Sequence, residues 1–156
     1  MSITRTAAVP QPRSVPSVPA HTLPHRTPQE LLLLARRGLT EAAETQADGQ
    51  RFATAHLAAL RAAAAVLAAR ARPTPGRRGR PTSVWVLLSL VAPELSEWAT
   101  FFAAGAGKRA AAEAGIRRVV AAREADDLIR DAWRFLAVVE FTLALPHQSG
   151  PAARAS

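Results

Sequence analysis

Cysteine and tyrosine are absent from the chain, and three Trp and five Phe are its only aromatic residues. Without cysteine there can be no disulfide, no thiolate metal site and no cysteine nucleophile. The small number of aromatic residues disfavours a β-sheet protein, because strands are enriched in them. Alanine, the strongest helix former, supplies much of the 49% hydrophobic content instead. These features predict an all-α protein.

The sequence also lacks the patterns of a secretory signal and of a membrane span. Its first residues are interrupted by proline and contain no apolar stretch, so we expect no secretory signal. The most apolar segment, residues 52–69, contains His56 and Arg61, which disfavour a membrane span. Together with the absence of cysteine, these observations predict a cytoplasmic protein without membrane attachment.

The excess positive charge lies mainly outside the predicted helices. The formal net charge is +8, from 20 basic and 12 acidic residues. The two ends of the chain contain arginine but no acidic residue. A second acid-free segment contains five arginines: Arg70, Arg72, Arg77, Arg78 and Arg80. If the protein binds RNA, we expect these five side chains to contact the phosphate backbone electrostatically.

Composition divides the chain into one domain and two tails. Residues 1–26 are rich in proline and have no hydrophobic periodicity, which predicts a disordered tail. The polar residues 146–156 predict a flexible tail. Residues 27–145 lie between these tails and predict a single helical domain. Its first helix is expected to start at Thr27, an N-cap residue followed by proline and then by a capping-box glutamate.

Hydrophobic periodicity predicts five helices in this domain. The expected ranges are about 28–46, 50–71, 83–91, 93–114 and 121–145. Proline and glycine between residues 73 and 81 predict a loop, and Gly115 is expected to end the fourth helix. Because most of the loops are short, we predict an antiparallel bundle of four long helices and one short helix.

The segment from Gly105 to Lys108 resembles part of a phosphate-binding loop. The full motif requires an earlier glycine and a following Ser or Thr, but Phe102 and Arg109 occupy those positions. No strand is predicted before the segment either. The two glycines are better interpreted as permitting a kink or a close helix crossing, and we predict no cofactor.

Three acidic residues, Glu124, Asp127 and Asp131, are expected to lie near one another on the last helix. Carboxylates so arranged could bind a metal, but bundle metal sites use Glu-x-x-His pairs that this sequence does not contain. Nearby arginines at residues 123, 130 and 134 are spaced to neutralise the acids. We therefore predict a solvated charged face and no metal site.

Arg51 and His56 form the one candidate catalytic pair. Arginine can hold a phosphate through two hydrogen bonds, and histidine can transfer a proton near neutral pH. Together they could cleave RNA by using its 2′-hydroxyl group as nucleophile. The alternative interpretation is that His56 is a core or interface histidine with one satisfied hydrogen bond. Five residues turn a helix by about 140°, so the two side chains diverge unless Arg51 lies outside the helix or a second chain completes the site.

Four stretches of sequence resemble a small actinobacterial family of HEPN-domain proteins. They are RFATAHLAALRAAAAVL (51–67), SVWVLL (83–88), APELSEWA (92–99) and AREADDL (122–128). The resemblance covers residues 28–141. It implies a HEPN-like helical bundle, frequently a homodimer, from a family in which many members are associated with RNA cleavage, toxin–antitoxin systems or defence.

The resemblance leaves two functions open. Many HEPN nucleases have an Arg-x4–6-His motif near the junction of their third and fourth helices. The only match in this sequence is Arg51 with His56, at the start of an earlier helix. In the first reading, the protein is an RNA-associated or stress- or defence-related module, and any catalysis is that of a metal-independent endoribonuclease. In the second, it is a non-catalytic module for dimerisation or for binding a protein partner.

Overall fold

α-Helices make up nearly all of the described chain. The structure is a computed structural model that describes residues 17–19, 25–74 and 83–144. Most of the predicted N-terminal tail and all of residues 146–156 lie outside these ranges. The elements are β1 (Ser17–Pro19), α1 (Pro28–Glu44), α2 (Asp48–Arg70), β2 (Arg72–Thr74), α3 (Val84–Val91), a 3-10 turn (Pro93–Leu95), α4 (Ser96–Ala104), α5 (Ala106–Glu113) and α6 (Ala122–Leu143). The predicted all-α helical bundle is confirmed.

Two three-residue strands were not predicted. β1 pairs in parallel with β2, so that Ser17 lies opposite Arg72 and Pro19 opposite Thr74. β1 falls within the stretch predicted to be disordered, and β2 falls at the start of the predicted loop. Segments this short contain no measurable alternation of polar and apolar residues, which is the signal by which strands are found in a sequence.

Side-chain caps fix the beginnings of α1 and α3. The backbone N–H of Glu30 donates to Thr27 Oγ1 at 3.1 Å, and the N–H of Trp85 donates to Ser83 Oγ at 3.2 Å. Each bond satisfies one of the backbone donors that a helix leaves free in its first turn. The predicted cap at Thr27 is therefore confirmed, and Ser83 caps α3 in the same way.

The prediction of one continuous helix over residues 93–114 is wrong. The segment begins with a 3-10 turn and is then divided at Gly105 into α4 and α5. The N–H of Gly105 bonds to the carbonyl of Phe102, three residues back, at 3.0 Å. Glycine is a weak helix former, and this one also meets a buried side chain from α2, described below. The predicted kink at the glycines is thus located at Gly105.

α2 is the central helix and packs against α1, α3, α5 and α6. Small residues bring α1 and α2 close together. A Cβ atom added to Gly38 would lie 3.2 Å from the Cβ of Ala58, tighter than ordinary van der Waals contact. Among the described residues, α2 is the one helix long and apolar enough to cross a membrane, yet twelve of its residues are buried in the bundle. The helix therefore serves as the core of the fold.

Aromatic side chains fill the space between α2, α3, α4 and α6. Phe102 and Trp85 stack with their ring centroids 5.2 Å apart, and Phe135 lies 5.2 Å from Phe102. Trp98 stacks on the same Phe102 ring. The imidazole of His56 meets both Trp85 and Phe102 edge-on. We call these five residues the aromatic cluster.

Candidate functional site

His56 is completely buried within the aromatic cluster, at 0% exposure. Its Nε2 lies 2.7 Å from the carbonyl oxygen of Phe102, in the last turn of α4. Because a carbonyl oxygen only accepts hydrogen bonds, Nε2 must be the nitrogen that carries the proton. The same carbonyl also accepts the backbone N–H of Gly105 at 3.0 Å. The hydrogen bond from His56 therefore links the middle of α2 to the end of α4.

Burial keeps His56 uncharged. Loss of solvation lowers the pKa of His56 below its usual value, and this outweighs the opposing effect of the bond to Phe102. Two charged residues of α5 act in opposite directions: Arg109 lowers the pKa of His56 further and Glu113 raises it. The result is a neutral imidazole in the interior at neutral pH.

Gly105 allows the imidazole to approach the junction of α4 and α5. A Cβ atom at this position would lie 3.3 Å from His56 Cδ2 and 3.5 Å from Nε2. A larger residue would therefore press directly on the ring that bonds to Phe102. The glycine that resembles a phosphate loop in the sequence thus has a packing role here.

Arg51 lies in the first turn of α2, with 17% of its side chain exposed. One guanidinium nitrogen bonds to Asp48 at 3.2 Å, and another bonds to Asp126 at the start of α6. The bond to Asp126 is the main reason that the pKa of Arg51 is raised above its usual value. We call Asp48, Arg51 and Asp126 the charged edge.

The described contacts do not bring Arg51 and His56 together. Arg51 is held by carboxylates at the charged edge, whereas His56 bonds to the backbone of α4. Both residues lie inside α2, so the turn of about 140° that separates them is retained. The two side chains share no hydrogen-bond partner among the described residues.

The arginine-rich segment is only partly described. Arg70, at the end of α2, forms an ion pair with Glu94 at 2.5 Å, and this bond lowers the pKa of Glu94. The backbone of Arg72 is part of β2. Arg77, Arg78 and Arg80 lie outside the described residues. Contact between these five arginines and RNA stays a prediction.

The acidic residues of α6 are neutralised by basic neighbours. Arg130 lies 3.1 Å from Asp127, and Arg134 lies 3.6 Å from Asp131, as the helical spacing predicted. Lys108 of α5 pairs with Glu124 and lowers its pKa, a contact that was not predicted. Within the described part of the chain, no group of three or more His, Asp or Glu side chains is placed to hold a metal ion.

A surface cavity of about 540 Å³ lies where α2, α4, α5 and α6 meet. Its apolar lining includes Phe52, Phe101 and Leu128, and its polar lining includes Lys108 and Asp131. This cavity was not predicted, because its walls come from three separate segments that only the packing of the bundle brings together.

Comparison with known proteins assigns the chain to a family. A model of the SAV_6107-like HEPN family matches residues 42–140, from the end of α1 to near the end of α6. Comparison with curated proteins and with solved structures gives no match. The matched region is more than half of the chain and agrees with the resemblance seen in the sequence. The chain therefore belongs to the SAV_6107-like HEPN family.

Proposed function

We propose that this HEPN domain is a non-catalytic module for helix-mediated protein interaction. The burial of His56 is the observation on which the proposal depends. A general acid or base must come within hydrogen-bond reach of the proton that it transfers. With no exposed surface, His56 offers no atom to a substrate, and its Nε2 proton is already donated to Phe102.

The contacts of Arg51 support the same conclusion. A phosphate clamp needs N–H donors that point towards the phosphate, but both terminal nitrogens of the Arg51 guanidinium already donate to carboxylates, those of Asp48 and Asp126. An incoming phosphate would also be repelled by the two carboxylates. Arg51 therefore joins the start of α2 to the start of α6, and its role is structural.

Exposed apolar side chains supply surface for binding another protein. Phe141, near the end of α6, is 84% exposed, and Val86 and Leu90 lie exposed one turn apart on α3. Aromatic and aliphatic side chains of this kind anchor protein interfaces when a partner covers them. We expect the protein to form a homodimer, bind a protein partner, or both.

Incubation with RNA tests the proposal. Purified protein, the Arg51→Ala variant and the His56→Gln variant would each be incubated with total RNA in the presence of EDTA. We expect no cleavage by any of them above a mock purification. Cleavage by the wild type that falls at least about 100-fold in both variants, with unchanged circular dichroism, would overturn the proposal.

A further inference from the structure

A continuous groove runs along α6 beside α4 and α5. The cavity of about 540 Å³ shares Phe101 and Asp131 with a neighbouring cavity of about 350 Å³. The first extends towards Lys108 and the second towards Glu97. Along the continuous helix α6 the lining runs from Glu124 to Asp131, which is seven residues or about 10 Å at 1.5 Å per residue. We call this feature the α4–α6 groove.

The floor of the groove is apolar and centred on Phe101. This ring is 46% exposed although it touches the buried ring of Phe102. Phe52 and Leu128 extend the apolar floor on one side, and Trp98 extends it on the other. Amphipathic helices are bound in this way, with apolar anchors of one face lying in a hydrophobic groove. A groove of at least two helical turns offers places for two or three anchors.

The rim of the groove is acidic, although the chain as a whole is basic. Four carboxylates line it, those of Glu97, Glu124, Asp127 and Asp131, against the two cations Lys108 and Arg130. Four negative and two positive charges give a formal charge of −2, whereas the whole chain carries +8. This sign repels a nucleic acid and attracts a basic ligand.

Two of these carboxylates retain capacity to bind a ligand. Asp131, which both cavities share, lies 3.6 Å from Arg134 and 3.9 Å from Arg130. Both distances exceed hydrogen-bond range, so its oxygens can still accept from a ligand. Within the described ranges, Glu97 forms no ion pair.

We propose that the α4–α6 groove binds a basic amphipathic helix of a partner protein. An apolar side chain of that helix packs on Phe101, and flanking Arg or Lys side chains bond to Asp131 and Glu97. This inference deepens the proposed interaction function, on which it rests, by naming the surface and the chemistry of the partner.

Binding of a designed peptide tests the proposal. The probe is a fluorescein-labelled 14-residue helical peptide with Leu at i, i+3 and i+7 and Arg beside them. We expect Phe101→Ala to weaken its binding at least about tenfold, because a central aromatic anchor is lost. Asp131→Asn should weaken it about three- to tenfold, because the ion pair between this carboxylate and an arginine of the peptide is lost. The acidic peptide, in which Glu replaces Arg, should bind at least about tenfold more weakly than the basic one.

Matched controls lie outside the groove. Ile116→Ala removes an exposed apolar side chain from the loop between α5 and α6, and Asp126→Asn removes a carboxylate from the start of α6. Both should leave the affinity within about twofold, because neither residue lines the groove. Thermal unfolding followed by circular dichroism would verify that all four variants are folded.

Several results would overturn the proposal: no binding of the basic peptide, equal binding of the acidic one, or equal binding to Phe101→Ala. Self-association that Phe101→Ala abolishes would also overturn it, since a second copy would then occupy the groove. RNA cleavage would contradict the proposed function separately. If neither RNA cleavage nor peptide binding is observed, only the groove proposal is contradicted.

Discussion

Near His56, the buried face of α2 packs against aromatic rings from three other helices. Near Arg51, in the first turn of the same helix, the side chains form ion pairs close to solvent. His56 is neutral, buried and bonded to a backbone carbonyl. Arg51 is charged and bonded to carboxylates. Only four residues separate them in the sequence. The comparison shows that two residues with suitable chemistry on one helix lie in different surroundings.

The two regions also differ in what they contribute to stability. Burial of large apolar rings is the dominant favourable contribution to folding. Ion pairs near the surface contribute little, because water solvates the separated charges well and ordering two side chains costs entropy. We therefore expect substitutions in the aromatic cluster to affect the free energy of unfolding much more than substitutions at the charged edge.

The largest effect is expected for Phe102→Ala. Phe102 is fully buried and contacts Trp85, Trp98 and Phe135, so its removal leaves a cavity. We expect a loss of about 3–5 kcal/mol in the free energy of unfolding, measured by urea denaturation. Phe101→Ala is the matched control and should cost less than about 1 kcal/mol, because that ring is half exposed. Similar losses for both variants would show that the aromatic cluster is not the centre of the core.

A smaller effect is expected from the protonation of His56. Because burial lowers its pKa in the folded state, the unfolded chain binds a proton at a higher pH than the folded protein does. The free energy of unfolding should therefore be at its full value above the usual histidine pKa of 6.5 and should fall as the pH decreases below it. One proton changes the free energy of unfolding by at most about 1.4 kcal/mol per pH unit.

His56→Gln isolates this contribution, because glutamine keeps an N–H donor for Phe102 but does not titrate. Urea denaturation at pH 7.5 and pH 5.5 would be compared for the two proteins. We expect the wild type to lose about 1 kcal/mol more than the variant over this interval. The other histidines are common to both proteins and cancel, and the lowered pKa values of Glu94 and Glu124 place their titration below the interval. Equal losses would mean that His56 accepts a proton in the folded state.

Structural features that depend on residues close together in the sequence could be predicted from it. Thr27 and Ser83 are cap residues directly before helical segments, and both cap the expected helices. The apolar positions of α2 and α6 repeat with helical periodicity and line the core. The break at Gly105 was harder to place, since a glycine in a helical pattern is often tolerated. At this glycine the His56 ring of another helix leaves little room for a side chain.

The candidate site depends on contacts between residues far apart in the sequence, and local sequence patterns do not reveal such contacts. The partner of His56 is a backbone carbonyl 46 residues away, and any residue type offers a carbonyl. The apolar spacing of α2 did suggest a core histidine, but it could not identify Phe102 as the acceptor. The α4–α6 groove likewise requires the mutual placement of α4, α5 and α6. In this protein, the sequence predicts each helix more completely than it predicts what the helices enclose.

The smallest effect is expected at the charged edge. Arg51→Ala removes the ion pairs with Asp48 and Asp126 and should lower the free energy of unfolding by at most about 1 kcal/mol. In 1 M NaCl the difference from wild type should shrink, because salt screens partly exposed charges. Arg37→Ala, on the exposed side of α1, is the matched control, and it should change stability by less than about 0.5 kcal/mol at either salt concentration. A salt-independent loss above about 2 kcal/mol for Arg51→Ala would mean that Arg51 acts through buried packing, and the contrast with His56 would then fail.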